Sequence, residues 1–188
     1  ADRADFVAGI RAQSERLAQM IDKLLALAAV EHRQKLDDAV VIDVAALLQD
    51  VAGDCRETLR SRGQSLAVRV DDGLPPPRGD AFLLRQAVAN LVENASDFSP
   101  PGAAIELYAE RAGDALAIRV LDRGAGVPDY AAGRVFERFY SLPRPDGGSR
   151  SSGLGLCFVA EVADLHGGAA ELLPREGGGT EARLVLPR

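Results

Sequence analysis

Two cysteines in 188 residues are too few for a disulfide framework, and Cys55 and Cys157 show no metal-ligand spacing. Cys157 lies in the apolar run LGLCFVAEV and reads as a buried, inert thiol. Such sparse cysteine suits a reducing, cytoplasmic compartment. No apolar run approaches the roughly 20 residues that cross a membrane, and no signal peptide is visible. An excess of cations is also missing: 22 basic against 28 acidic side chains leave a net charge of −6, which argues against a nucleic-acid partner. What is present supports a core, with 47% hydrophobic and 27% charged residues. The length fits one domain with an appendage or one large domain. The opening at ADRADF, inside a helical pattern, implies a piece of a longer protein.

The first 35 residues read as one long helix with a repeat near seven. Ile10, Leu17 and Leu24 are seven apart, as are Phe6, Gln13, Met20 and Leu27. A stripe of this kind belongs in a bundle or coiled coil, so self-association through 3–34 is expected, the alternative being docking onto the chain's own globular part. Beyond Gln34, VVID reads as a short strand leading into a helix over about 43–62 with Asp43 as N-cap. SLAVRV (65–70) alternates like a strand, and Asp80 can cap a helix reaching the SPPG turn. AIELYAER (104–111) and LAIRVLDR (116–123) form a hairpin, a helix spans about 153–165, and AELLP and TEARLVLP are closing strands. The fold class is α+β: a two-layer α/β sandwich of one mixed, largely antiparallel sheet with three helices on one face, preceded by the long helix.

Asn90 and Asn94, one helical turn apart, interrupt a helix that otherwise reads as core. With Asn90 at zero on a wheel of ~100° per residue, Asn94 falls near 40° and Asp97 near 340°. Leu84, Leu91, Ala95 and Val88 gather around 100–160° on that wheel. Carboxamide oxygens are hard, neutral ligands suited to a magnesium ion shared with phosphates. Downstream come LDRGAGVPD (121–129), VFERFY (135–140), SSGLGLCFVAEVADLHGG (151–168) and GGGTEARLVLP (177–187). In this order they resemble the nucleotide-binding domain of two-component sensor histidine kinases, a branch of the Bergerat ATP-binding fold. The resemblance covers roughly 36–188, with the motifs known as the N box, first glycine box, F box and second glycine box. SERLAQMIDKLLALAAVEHRQ resembles the second helix of that family's dimerisation and histidine-phosphotransfer hairpin, which divides the chain at 35/36.

The resemblance implies ATP and Mg²⁺ as cofactors. Asn90 and Asn94 would act on the phosphates, Asn94 as the metal ligand, with Asp97 on the same face. Asp122 would accept from the adenine amine; guanine carries an oxo acceptor there, so a buried carboxylate discriminates. Gly124 and Gly126 let the backbone approach the base. Ser152, Gly153, Leu154, Gly155 and Leu156 open a helix whose amides can face the triphosphate. Thr180 follows the last glycine run. SLPRPDGGSRS after Tyr140 looks like the ATP lid, with Arg138, Arg144 and Arg150 as its cations. Phe136, Phe139 and Tyr140 would pin the lid base to the core.

Three departures bear on the transfer. Asp97 stands where the family usually has Lys, so lid arginines compensate, Asp97 helps hold magnesium, or phosphate affinity falls. Ser151 replaces the first glycine of Gly-x-Gly-Leu-Gly-Leu. Asp97-Phe-Ser-Pro with Ser-Ser before Gly-Leu-Gly-Leu looks like the CreC-like branch. The phosphoacceptor histidine is not found: His32 is not followed by the acidic residue and proline that follow the phosphoacceptor, and His166, before Gly167-Gly168, suits the terminal carbonyls of its helix. Where gyrase, Hsp90 and MutL relatives carry a water-activating Glu, this chain has Asn90, and Glu93 is out of register, so hydrolysis should be slow. The expectation is the catalytic portion of a histidine kinase, a cytoplasmic fragment of an inner-membrane sensor. It would transfer the γ-phosphate to a histidine on another segment, serve a response regulator, and touch membrane only through missing N-terminal parts. The alternatives are a degenerate, dimeric interaction scaffold and a Bergerat-type ATPase.

Overall fold

The alternating segments form strands and the 3.6-residue patterns form helices in the computed structural model, which describes residues 2–33, 35–36, 39–145 and 151–187, the side chains of 2–5, 8, 12, 15 and 16 excepted. The order is α1 (Asp2–Glu31), β1 (Val40–Val41), α2 (Val44–Ser61), β2 (Ser65–Val70), β3 (Arg78–Gly79), α3 (Ala81–Phe98), β4 (Ala104–Ala112), β5 (Ala115–Leu121), α4 (Asp129–Ala132), α5 (Gly155–Leu165), β6 (Ala169–Pro174) and β7 (Thr180–Leu186). Both expected caps are made. Asp43 accepts from the Ala46 amide at 3.0 Å, and Asp80 accepts from Phe82 and Leu83 at 3.0 and 3.1 Å. β3 and α4 were not expected; at two and four residues they are too short to carry a period.

The main sheet runs β2-β4-β5-β7-β6, with β2 parallel to β4 and every other pair antiparallel. A parallel pair needs a crossover, and α3 supplies it. Because Glu106 pairs with Leu121, and Leu121 with Glu181, the start of β4, the end of β5 and the start of β7 share one edge. The C-terminal end of α3, which feeds β4, arrives at that same edge. Asn94, Asp97, Asp122 and Thr180 are thereby gathered by topology alone. α2, α3 and α5 cover one face, over Ile105, Leu107, Ile118, Val120 and Leu184, all buried. The opposite face is charged: Arg119 bonds Glu181 at 2.6 Å and Glu110 at 2.9 Å, and solvates that side of the sheet.

α1 divides its apolar stripe between two fates. Leu27 and Val30 are buried in the domain's core and Met20 packs against it, so the docking alternative holds for this end. Phe6, Ile10, Leu17, Ile21 and Leu24 stay exposed. Among the described residues, ion pairs hold the docked end, including Lys23–Glu93 at 3.1 Å, Arg33–Asp80 at 2.8 Å, and Glu31 with Arg138.

His166 is structural, as its position implied, and does more than cap. Its Nδ1 donates to the Val162 carbonyl at 2.7 Å, while Nε2 accepts from the Asp80 amide at 3.0 Å. Burial holds the imidazole below its ordinary pKa, Val162 and Asp80 opposing and Arg33 reinforcing the shift. A second proton would put a donor against the Asp80 N–H. The unfolded chain therefore binds that proton more readily, and the stability His166 gives is present above pH ~6.5 and lost below it. Asp80, Glu106 and Glu181, whose pKa values are lowered, lose theirs only in the more acid carboxylate range. Urea midpoints should be level above pH ~7.5 and decline as pH falls below ~6.5. His166→Gln should flatten that step; an unchanged step would reject the assignment.

Candidate functional site

One cavity lies between α3, the β5–α4 loop, the segment after Tyr140 and the start of α5. It is lined by Asn90, Asn94 and Asp97 from α3 and by Asp122 and Gly126 from the loop. Ser152, Gly153, Gly155 and Leu156 from the α5 entry and Thr180 from β7 complete these walls. The carboxamides and the Gly-Leu-Gly-Leu turn are immediate neighbours: a Cβ built on Gly155 would stand 3.7 Å from Asn90 Oδ1. Ten of the residues expected from sequence therefore meet at one cavity.

At one end Asp122 is buried, 5% exposed. Its Oδ1 accepts from the Gly124 amide at 2.7 Å and the Thr180 amide at 3.0 Å. Burial raises the carboxyl's pKa, and the hydrogen bonds from Gly124 and Thr180, with the charge of Arg175, oppose the rise. Arg175 reaches from the β6–β7 turn to the Asp122 carbonyl at 3.0 Å and pairs with Glu106, so the backbone under the carboxylate is fixed from behind. An acceptor fixed in an apolar wall with Val127, Val135 and Leu172 can read a planar heterocycle's amine.

At the other end the α5 entry turns sharply. The helix begins at Gly155, two residues later than expected, because Gly153 holds φ +68° and breaks the run. A Cβ there would lie 2.5 Å from the Phe139 carbonyl carbon, so the F box backbone seats directly on this glycine. The Phe139 amide donates to the Gly153 carbonyl at 3.0 Å.

Several expected residues stand elsewhere. Leu154 is core, 1% exposed, since the turn points it inward. Gly124 does not line the cavity; it packs on α3, where a Cβ would meet the Phe98 carbonyl oxygen at 2.5 Å, and its amide holds Asp122. Arg138 turns away to Glu31. Arg150 lies outside the described residues. Phe139 does not pin the lid base through its ring: it is 64% exposed at φ +62°, and the anchoring is by backbone, with Val135 buried beneath. Tyr140 lines the cavity and carries Arg134 over its ring at 4.5 Å.

Asp97 is enclosed by cations. Its Oδ1 accepts from Arg62 Nη1 at 2.8 Å and its Oδ2 from Arg144. Arg62 and Lys23, which also lines the cavity, were missed from sequence. Arg62 ends α2 far from the motifs and Lys23 sits in a bundle-like helix, and neither position carries a local signal. Glu93 lines the cavity, yet Lys23 holds its carboxylate. No group of three or more His, Cys, Asp or Glu side chains suited to a metal occurs among the described residues. The Asn90 and Asn94 side chains offer the cavity carboxamide oxygens, hard and neutral donors.

A family model described as histidine kinase-, DNA gyrase B-, and HSP90-like ATPase matches residues 79–188. The sensor protein CreC of Escherichia coli (strain K12) is 40% identical over 98% of this chain, which spans 38% of that protein's length. Full-length ShkA in complex with AMPPNP, 27% identical, superposes with a TM-score of 0.82 over all of this chain and 39% of its own. Histidine kinase ThkA, in complex with response regulator protein TrrA, is 18% identical and shares the fold at a TM-score of 0.75 over 97% of this chain and 50% of its own. No described helix is long and apolar enough to cross a membrane.

Proposed function

The chain belongs to the histidine kinase-, DNA gyrase B-, and HSP90-like ATPase family, and we propose on that footing that it is the ATP-binding catalytic portion of a sensor histidine kinase, moving the γ-phosphate of ATP to a histidine on a phosphotransfer helix. The observation that carries this reading is the single cavity with a buried acceptor, Asp122, at one end and Asn90, Asn94 and the glycine-rich entry of α5 at the other.

Asp122 selects adenine by accepting from its exocyclic amine. Gly126 and Thr180 line the base end, and the amides of 152–156 face the phosphates at the helix entry. Asn94 would hold Mg²⁺, which would supply charge neutralisation to the phosphates. Asn90, a carboxamide where a general base would be needed, leaves water unactivated, so the γ-phosphate is kept for an imidazole. Transfer then rests on positioning and charge, breaking the β–γ phosphoanhydride link and forming a P–N bond on the acceptor.

Residues 1–35 we take as the second helix of the phosphotransfer hairpin and 36–188 as the catalytic domain. The exposed stripe from Phe6 to Leu24 supports a homodimer through 3–34. A response regulator is the expected receiver of the phosphate in the full protein, working on the cytoplasmic side of a membrane-held sensor. Mixing the chain with labelled ATP, Mg²⁺ and a separate histidine-bearing hairpin tests the reading. Label on the hairpin histidine is expected; ATP binding without transfer would contradict the kinase assignment, and no magnesium-dependent binding would favour a scaffold.

A further inference from the structure

We propose that Asp97 is a positioning residue that seats Arg144 as the phosphate-facing cation of this site, with Arg62 as its opposite anchor. The inference rests on the nucleotide reading and deepens it. The resemblance puts a lysine at position 97, and a carboxylate alone would repel phosphate there. Asp97 is not alone. Arg62 holds Oδ1 at 2.8 Å and Arg144 holds Oδ2, so two guanidinium groups on one carboxylate leave one net positive charge where a lysine would have supplied it.

The two arginines differ in what they have left to give. Arg62 is tied down on the domain side: the same Nη1 reaches Ser96 Oγ at 3.0 Å, and Ser96 donates to Gln64 Oε1 at 2.6 Å. Gln64 in turn bonds the carbonyls of Ser96 and Ser99 at 3.0 and 3.2 Å. Arg144 comes from the segment following Ser141 and Leu142, which line the cavity mouth. Arg144 is not itself a lining residue, but Asp97, which lines the cavity, holds its guanidinium against that wall through Oδ2. A phosphate bound at that wall meets a guanidinium already held in place, whose fork suits it better than an ammonium. With a guanidinium on each of its oxygens, Asp97 serves as the seat of Arg144.

Calorimetry on the chain with Mg²⁺ and three ligands tests this: a non-hydrolysable ATP analogue, ADP and adenosine. Wild type should bind all three. Arg144→Ala should weaken the analogue and ADP by roughly ten- to a hundredfold and leave adenosine unchanged. Arg144→Lys should recover part of the loss. Asp97→Asn should weaken the same two ligands by less, and add nothing in the Arg144→Ala background. Melting curves check that each variant folds. Unaltered analogue binding by Arg144→Ala overturns the proposal, as does an Asp97→Asn effect that shifts the magnesium requirement and adds to Arg144→Ala. Wild type that binds neither the analogue nor adenosine overturns the nucleotide reading and this proposal with it.

Discussion

Asn94→Ala should lower phosphoryl transfer to a separately supplied hairpin by roughly 10²- to 10³-fold, the loss typical of removing one electrostatic contact to a reacting group. The carboxamide stands on the polar face of α3, in the cavity wall beside Asn90, and the described residues provide no acidic cluster to take its place. A second readout separates metal binding from a fold defect. In wild type the affinity for an ATP analogue should fall when EDTA replaces Mg²⁺; in Asn94→Ala the two conditions should give similar, weak binding, with adenosine still bound. Transfer within about threefold of wild type would remove Asn94 from the site.

Asp122→Ala should weaken every adenine ligand, adenosine included, by at least about a hundredfold, because a buried acceptor is lost from the end proposed to read the base. The same change strands the Gly124 and Thr180 amides, now bonded at 2.7 and 3.0 Å. Each orphaned donor costs about 1–3 kcal/mol, so the variant should also melt earlier. Asp122→Asn keeps an acceptor for those amides and should lose adenine affinity with a smaller drop in melting temperature. Because burial raises the Asp122 pKa, adenosine binding should weaken on acidification before an ordinary carboxylate would titrate. Adenosine binding by Asp122→Ala close to that of wild type would refute the role.

The sheet and its covering helices were legible because alternation and 3.6-residue periods are local, and the caps at Asp43 and Asp80 needed only three residues each. The meeting of Asp122 and Thr180 was legible too, since they occupy strand ends that topology must bring to one edge. What escaped was long-range. Arg62 lies 35 residues from Asp97, and Lys23 lies 70 from Glu93; no period links either pair. The α1 stripe gave no sign of where docking would stop, because Leu27 and Phe6 belong to one heptad series, yet Leu27 is buried and Phe6 exposed. Phe139 misled for another reason. An aromatic in an F box invites a packing role, but the φ of +62° imposed by the seat on Gly153 turns its ring to solvent.

A crystal structure of the chain with a non-hydrolysable ATP analogue and Mg²⁺ is the most direct test of the whole account. It should place the adenine amine within hydrogen-bond reach of the Asp122 carboxylate and the metal on the Asn94 side-chain oxygen, with the triphosphate running past Gly153 and Gly155. Nucleotide bound away from these groups, or with its base and phosphates reversed between the two ends, would contradict it.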